Sequence, residues 1–153
     1  MKKLLVLLLM VVMSLTLMTG CGGDPVYDEL ENYMNVEMVE VNANYESIKA
    51  EVANWQNFTA DAELNASISD VLLPLIDDSL AKLDAMALET EEVNAIKDKY
   101  VAVMEAYQAG FSAILEGDVD TGNAKIEEGV ALIDEYNTAL EELAAEVGAE
   151  VTY

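Results

Sequence analysis

The sequence predicts an all-α protein, an up-and-down antiparallel four-helix bundle with its second helix kinked at Pro74, and three observations lead there. Apolar residues recur at steps of three and four in four long stretches. Capping residues, glycines and short polar breaks separate those stretches. About half of the residues after the first twenty are apolar, enough to supply a core despite the acidity of the chain. Helices with one apolar face and short connections bury that face against antiparallel neighbours. The alternative arrangement is a three-helix rod with a loose first helix.

The first helix is predicted from Asp24-Pro25, an N-cap followed by the residue best tolerated at the first helical position. Its apolar line runs Leu30, Met34, Met38, Val41, Tyr45, Ile48, Val52 and Trp55. The pattern breaks over 54–59. It resumes in a second helix at Leu64, Ile68, Val71, Leu72, Leu75, Ile76, Leu80 and Leu83. Pro74 falls inside that line, removing one backbone hydrogen bond and pressing on the carbonyl of Asp70, so a kink or a split is expected there. Thr90-Glu91-Glu92 places a cap and two acids where a helix dipole favours them. The third helix then follows Val93, Ile96, Tyr100, Val103, Met104, Tyr107, Phe111 and Ile114 to a stop at Gly117. A fourth starts at Asp118 or Asp120 and shows Ile126, Val130, Ile133, Leu140, Leu143 and Val147 before Gly148. The bundle is therefore expected over 25–148, followed by a frayed tail at 149–153.

Ahead of the bundle, Lys2 and Lys3 precede an apolar run of fifteen residues, Leu4 to Met18, which is shorter than the roughly 20 residues of a membrane-spanning helix. A charged start, a short apolar run and small residues mark an export signal over 1–20. The single cysteine of the chain, Cys21, ends this segment and has no partner for an internal disulfide. The run Leu17-Met18-Thr19-Gly20-Cys21 resembles the lipobox of bacterial lipoproteins, with Met18 where Leu is the common choice. The resemblance covers residues 1–21 and extends in kind to small bacterial lipoproteins of unknown function. It implies that Cys21 carries diacylglycerol and becomes the first residue after cleavage, with 21–24 as a short linker. It also implies a lipid-anchored protein on the extracytoplasmic face of the cell membrane. Two acyl chains suffice for stable anchoring. Gly22 is not the Asp that would hint at inner-membrane retention in a two-membrane cell.

From Cys21 onward, five lysines face thirty acids, a net charge of −25, and the chain contains neither Arg nor His. Nucleic-acid binding needs the opposite sign and is excluded. The partners that fit are the membrane, through the lipid, and a protein or a cationic molecule.

Asp118 and Asp120 have the spacing of the first two ligands of an EF-hand loop, but Gly122, Asn123 and Gly129 stand where the motif needs a third ligand, a glycine and the closing Glu. Their expected role is capping, and no metal is assigned. The adjacent acids Asp77-Asp78, Glu91-Glu92, Glu127-Glu128, Asp134-Glu135 and Glu141-Glu142 miss the apolar lines, and di-iron bundles need histidines. Tyr45, Tyr100, Tyr107 and Phe111 fall on apolar faces as core or as the lining of a ligand pocket. Trp55 and Phe58 either cover the end of the bundle or form an exposed patch. With no histidine base, no free thiol and no phosphate loop, no catalytic group and no cofactor is assigned. The expectation is a membrane-anchored binding, interaction or spacing module rather than an enzyme. A small-ligand or cation sensor, and an enzyme acting on cell-wall sugar, are the alternatives.

Overall fold

The computed structural model describes residues 14–15, 23–149 and 151–152. Its architecture is all-helical, with four helices. The first is built from α1 (Pro25–Asn32), a π-helical turn (Tyr33–Glu37) and α2 (Met38–Asn54), and it closes in a 3-10 turn (Trp55–Asn57). Asp24 caps it as expected, its carboxylate accepting the Val26 N–H at 2.9 Å. The whole predicted apolar line from Leu30 to Trp55 is buried.

The second helix joins α3 (Asp61–Ser67), a π-helical turn (Ile68–Leu72) and α4 (Leu73–Ala85). Its start lacks a capping side chain at Ala60, and Glu63 compensates by accepting the N–H groups of Thr59 at 2.6 Å and Ala60 at 3.0 Å. The π turn ends at Leu72, two residues before Pro74. Asp70, whose carbonyl the proline ring would press, sits inside that widened turn, where the Leu73 N–H reaches back five residues to Ile68. Ile68, Leu72, Ile76 and Leu83 are buried, whereas Val71, counted on the apolar line in the sequence, is 37% exposed. The inward positions run Ile68, Leu72, Ile76, Ser79 and Leu83, so the residue before Leu72 turns out to solvent.

Both π turns sit where two successive residues are buried, Tyr33 with Met34 and Ser67 with Ile68.

The third helix is α5 (Glu91–Leu115), with Thr90 as its cap. The fourth is α6 (Val119–Val147), which ends at Gly148 in the left-handed conformation, φ 78°. Among the described elements these two share the most extensive contact. A Cβ placed on Gly122 would lie 2.8 Å from the Gly110 carbonyl oxygen, and one on Gly129 would lie 2.5 Å from the Tyr107 ring. Moving from Gly110 to Tyr107 to Tyr100 along α5, the facing residues on α6 are Gly122, Gly129 and Tyr136. Contacts that descend one helix as they climb the other make this pair an antiparallel hairpin.

Beyond Gly148, the Ala149 N–H bonds to the Ala144 carbonyl at 2.7 Å and the side chain is buried. Outside the helices, β1 (Ser14–Leu15) pairs antiparallel with β2 (Val151–Thr152). Among the described residues no helix is long and apolar enough to cross a membrane.

Candidate functional site

Four of the sequence-predicted residues come together. Tyr45 enters the core from α2, and Tyr100, Tyr107 and Phe111 enter it from α5, all with zero exposure. Phe111 stacks at a tilt on Tyr107, ring centres 6.4 Å apart, and takes the edge of Trp55 at 5.9 Å. Trp55 is thus part of the core, and Phe58 packs half-buried against it. The Trp55 indole N–H donates to Ser67 Oγ at 2.8 Å, and Ser67 passes the chain on to Glu51 Oε1 at 2.6 Å.

The structure adds two tyrosines that the apolar lines omit. Tyr33 lies at the first position of the π turn, and Tyr136 sits in the middle of α6, edge-on to Tyr100 with ring centres 4.9 Å apart. The missed signal in the sequence is a seven-residue spacing: Gly122, Gly129, Tyr136 and Leu143 form one inward line of α6, which scoring by apolarity alone passes over because it begins with two glycines.

Five phenols therefore meet between the first, third and fourth helices. Tyr136 donates to the Met34 sulfur at 3.7 Å. The hydroxyls of Tyr33, Tyr45, Tyr100 and Tyr107 are buried, and that of Tyr100 has no hydrogen-bond partner among the described residues. Tyr33 lies beside Tyr136, and Tyr45 beside Tyr107, each pair within hydroxyl-to-hydroxyl hydrogen-bonding reach. Burial dominates their ionisation. It pushes Tyr33, Tyr45, Tyr100 and Tyr136 well above the ordinary phenol value, and Tyr107 up to about 12 despite the opposing hydroxyl of Tyr45. The cluster is therefore neutral at any physiological pH, a set of hydrogen-bond donors and acceptors without a base or a nucleophile. A buried polar group left without a partner costs about 1–3 kcal/mol.

Asp118 caps α6. Its carboxylate accepts the Thr121 N–H at 3.1 Å and the Thr121 hydroxyl at 2.8 Å, and Gly117, at φ 89°, makes the turn that presents it. Asp120 is exposed in the first turn of the helix. The five adjacent-acid pairs all lie on exposed positions. Asp77 and Asp78 take hydrogen bonds from Gln108 at 2.6 Å and Asn44 at 2.7 Å, so they join helices rather than face each other. Among the described residues, no group of three side chains of the types that hold metal converges. An open groove on the third and fourth helices is lined by Lys99, Asp134, Glu135, Thr138, Ala139 and Glu142. Cys21 lies outside the described residues.

No protein family, no curated protein and no solved structure matches this chain. Its residues divide into two parts: an acidic helical exterior, and an aromatic interior that also buries Ser67, Ser79 and the side-chain oxygens of Asn42 and Asn137.

Proposed function

We propose that the chain is an exported bacterial lipoprotein, anchored through Cys21 to the extracytoplasmic face of the cell membrane, and that its acidic helices form a binding, interaction or spacing module rather than an enzyme. The observation that carries this reading is the tract Met18-Thr19-Gly20-Cys21 closing an apolar run of fifteen residues behind Lys2 and Lys3. Helix one begins at Pro25, four residues after the proposed anchor, so the module stands close to the membrane surface.

In this reading the four helices run up and down as an antiparallel bundle, and helix two bends at Pro74. Support for the topology comes from the short connections at 58–60, 86–90 and 116–118, which favour antiparallel neighbours. Support for the bend comes from the π turn at Ile68–Leu72, which ends two residues before the proline. A net charge of −25 on the anchored portion keeps it away from anionic headgroups and nucleic acid and favours a cationic or protein partner.

The deciding experiment expresses the chain and its Cys21→Ser variant in a bacterial host, separates the membranes and measures intact mass. The parent is expected in the membrane fraction with added acyl mass, and the variant released without it. A variant that stays with the membranes without added acyl mass would overturn the anchor.

A further inference from the structure

We propose that the outward face of the first helix is the surface through which two copies of this chain pair. The helix carries a second line besides its buried one. Val36, Val39, Ala43, Glu46, Ala50 and Ala53 recur at steps of three and four, the spacing of a coiled-coil seam, and all six are exposed. Val36 and Val39, 62% and 55% exposed, are two of the three large apolar side chains left exposed among the described residues. At 1.5 Å per residue the line from Val36 to Ala53 runs about 26 Å. Helices normally turn charged side chains to solvent, and α6 does so with its exposed pairs Glu127-Glu128, Asp134-Glu135 and Glu141-Glu142. The outward line of the first helix has one charged residue in six, in a chain of net charge −25 from Cys21 onward.

Charge selects a second copy as the occupant. Lys82 reaches Glu40 at 2.5 Å and Lys49 reaches Glu46 at 2.7 Å, so two of the five lysines after Cys21 offset acids on and beside this line. A cationic partner is drawn to the acids of α6, whereas two copies of an acidic chain repel least where the local charge is balanced. The line is also complementary to itself. In an antiparallel pair about a two-fold axis between Asn44 and Tyr45, Val36 faces Ala53 of the other copy, Val39 faces Ala50, and Ala43 faces Glu46. Each larger side chain then meets a small one. A parallel pair in register would set Glu46 against Glu46, and the antiparallel pair keeps them apart. This pairing rests on the reading of the domain as an interaction module and not on Cys21, although two copies anchored in one membrane would meet at a raised effective concentration.

The test weighs the full chain, purified in detergent, by sedimentation equilibrium at matched solvent density, with circular dichroism as the measure of helix content. The parent is expected at the mass of two chains. Val36→Asp combined with Val39→Asp is expected to halve that mass at unchanged helix content, since both positions are exposed. Val36→Ser with Val39→Ser makes the same point if the aspartates disturb the helix. Val71→Asp, at the third exposed valine, is expected to remain at two chains. Sodium chloride should tighten the pair, because screening relieves repulsion between like-charged chains. A parent with the mass of one chain overturns the proposal. So does a folded Val36, Val39 double variant that stays at two chains, a Val71→Asp chain that falls to one, or an association that weakens with salt as attraction between opposite charges does. Failure of the anchor is read separately, because a parent without acyl mass is weighed in the same way.

Discussion

Glu29 near the start of the first helix holds Thr90 at the start of the third, sixty-one residues away in sequence. One carboxylate oxygen accepts the Thr90 N–H at 2.8 Å and also the Thr90 hydroxyl, and the other accepts the Glu89 N–H at 2.5 Å. The first four N–H groups of a helix start have no partner within the helix, and here a residue from another helix supplies one for Thr90. Thr90 uses its own hydroxyl oxygen to accept the Val93 N–H at 3.4 Å, so two caps are stacked at one helix end.

Glu29→Gln is therefore expected to destabilise the protein by about 1 kcal/mol at neutral pH, the scale of a lost cap. Desolvation pushes the Glu29 carboxyl up, but the N–H bonds from Glu89 and Thr90 and the Thr90 hydroxyl outweigh it and leave the value below the usual glutamate range. A carboxylate whose value is lowered by folding adds stability above its unfolded value and loses it as pH falls through the folded one. The gap between parent and variant in urea unfolding should thus be full at pH 7 and should close below about pH 4. A gap that persists unchanged at pH 3 would mean that the carboxylate charge is not what holds Thr90.

Gly122→Ala and Gly129→Ala should each destabilise the chain, against the usual helix preference for alanine of about 1 kcal/mol. At Gly122 the new Cβ would stand 2.4 Å from an Ile114 side-chain carbon and 2.8 Å from the Gly110 carbonyl oxygen, which cannot move without parting the helices. At Gly129 it would meet the Tyr107 ring at 2.5 Å. Overpacking of this kind costs typically about 1–3 kcal/mol. Thermal melts of both variants provide the check, and a gain in melting temperature at either position would contradict the close approach.

Ser67→Ala removes the acceptor of the Trp55 indole N–H and the donor to Glu51 in one step. Trp55 is 9% exposed, so its N–H has little access to water as a substitute. The expected loss is about 1–3 kcal/mol, the cost of leaving a buried donor without a partner. Trp55→Phe in the same background should recover part of that loss, because no donor is then left to satisfy. Non-additivity between the two changes in a double-mutant cycle measures the bond.

Most of the fold was legible because burial imposes a period. Every apolar residue of the first line, from Leu30 to Trp55, is buried, and the caps at Asp24, Thr90 and Asp118 are where the sequence puts them. The line failed at Val71 and omitted Tyr33, and both lie at π turns, where an inserted residue shifts the phase that a regular period assumes. Gly122 and Gly129 were legible only as residues that fail an ion-binding motif. Their role depends on the distance to α5, and a glycine carries no apolar signal of its own. The aromatic site was half legible for the same reason: Tyr45, Tyr100, Tyr107 and Phe111 lie on period, while Tyr136 is found through the seven-residue line that those glycines begin.

The charge of the chain makes the last prediction. With thirty acids against five lysines from Cys21 onward, ion pairs are few, and the main cross-helix ion pair joins Lys82 to Glu40 at 2.5 Å on exposed surface, where such a pair contributes little. Self-repulsion of the acidic exterior should dominate the electrostatics, and salt relieves it over a screening length of about 8 Å at physiological strength. Raising sodium chloride from 10 mM to 500 mM is expected to raise the melting temperature, by roughly 3–6 °C for a gain of about 1 kcal/mol. Calcium chloride at matched ionic strength separates screening from binding. If screening is the whole effect, Asp118→Asn and Asp120→Asn together leave the difference between the two salts unchanged. A calcium-specific gain that those substitutions abolish would instead make the turn before α6 an ion site, although the Asp118 carboxylate already accepts the N–H and hydroxyl of Thr121.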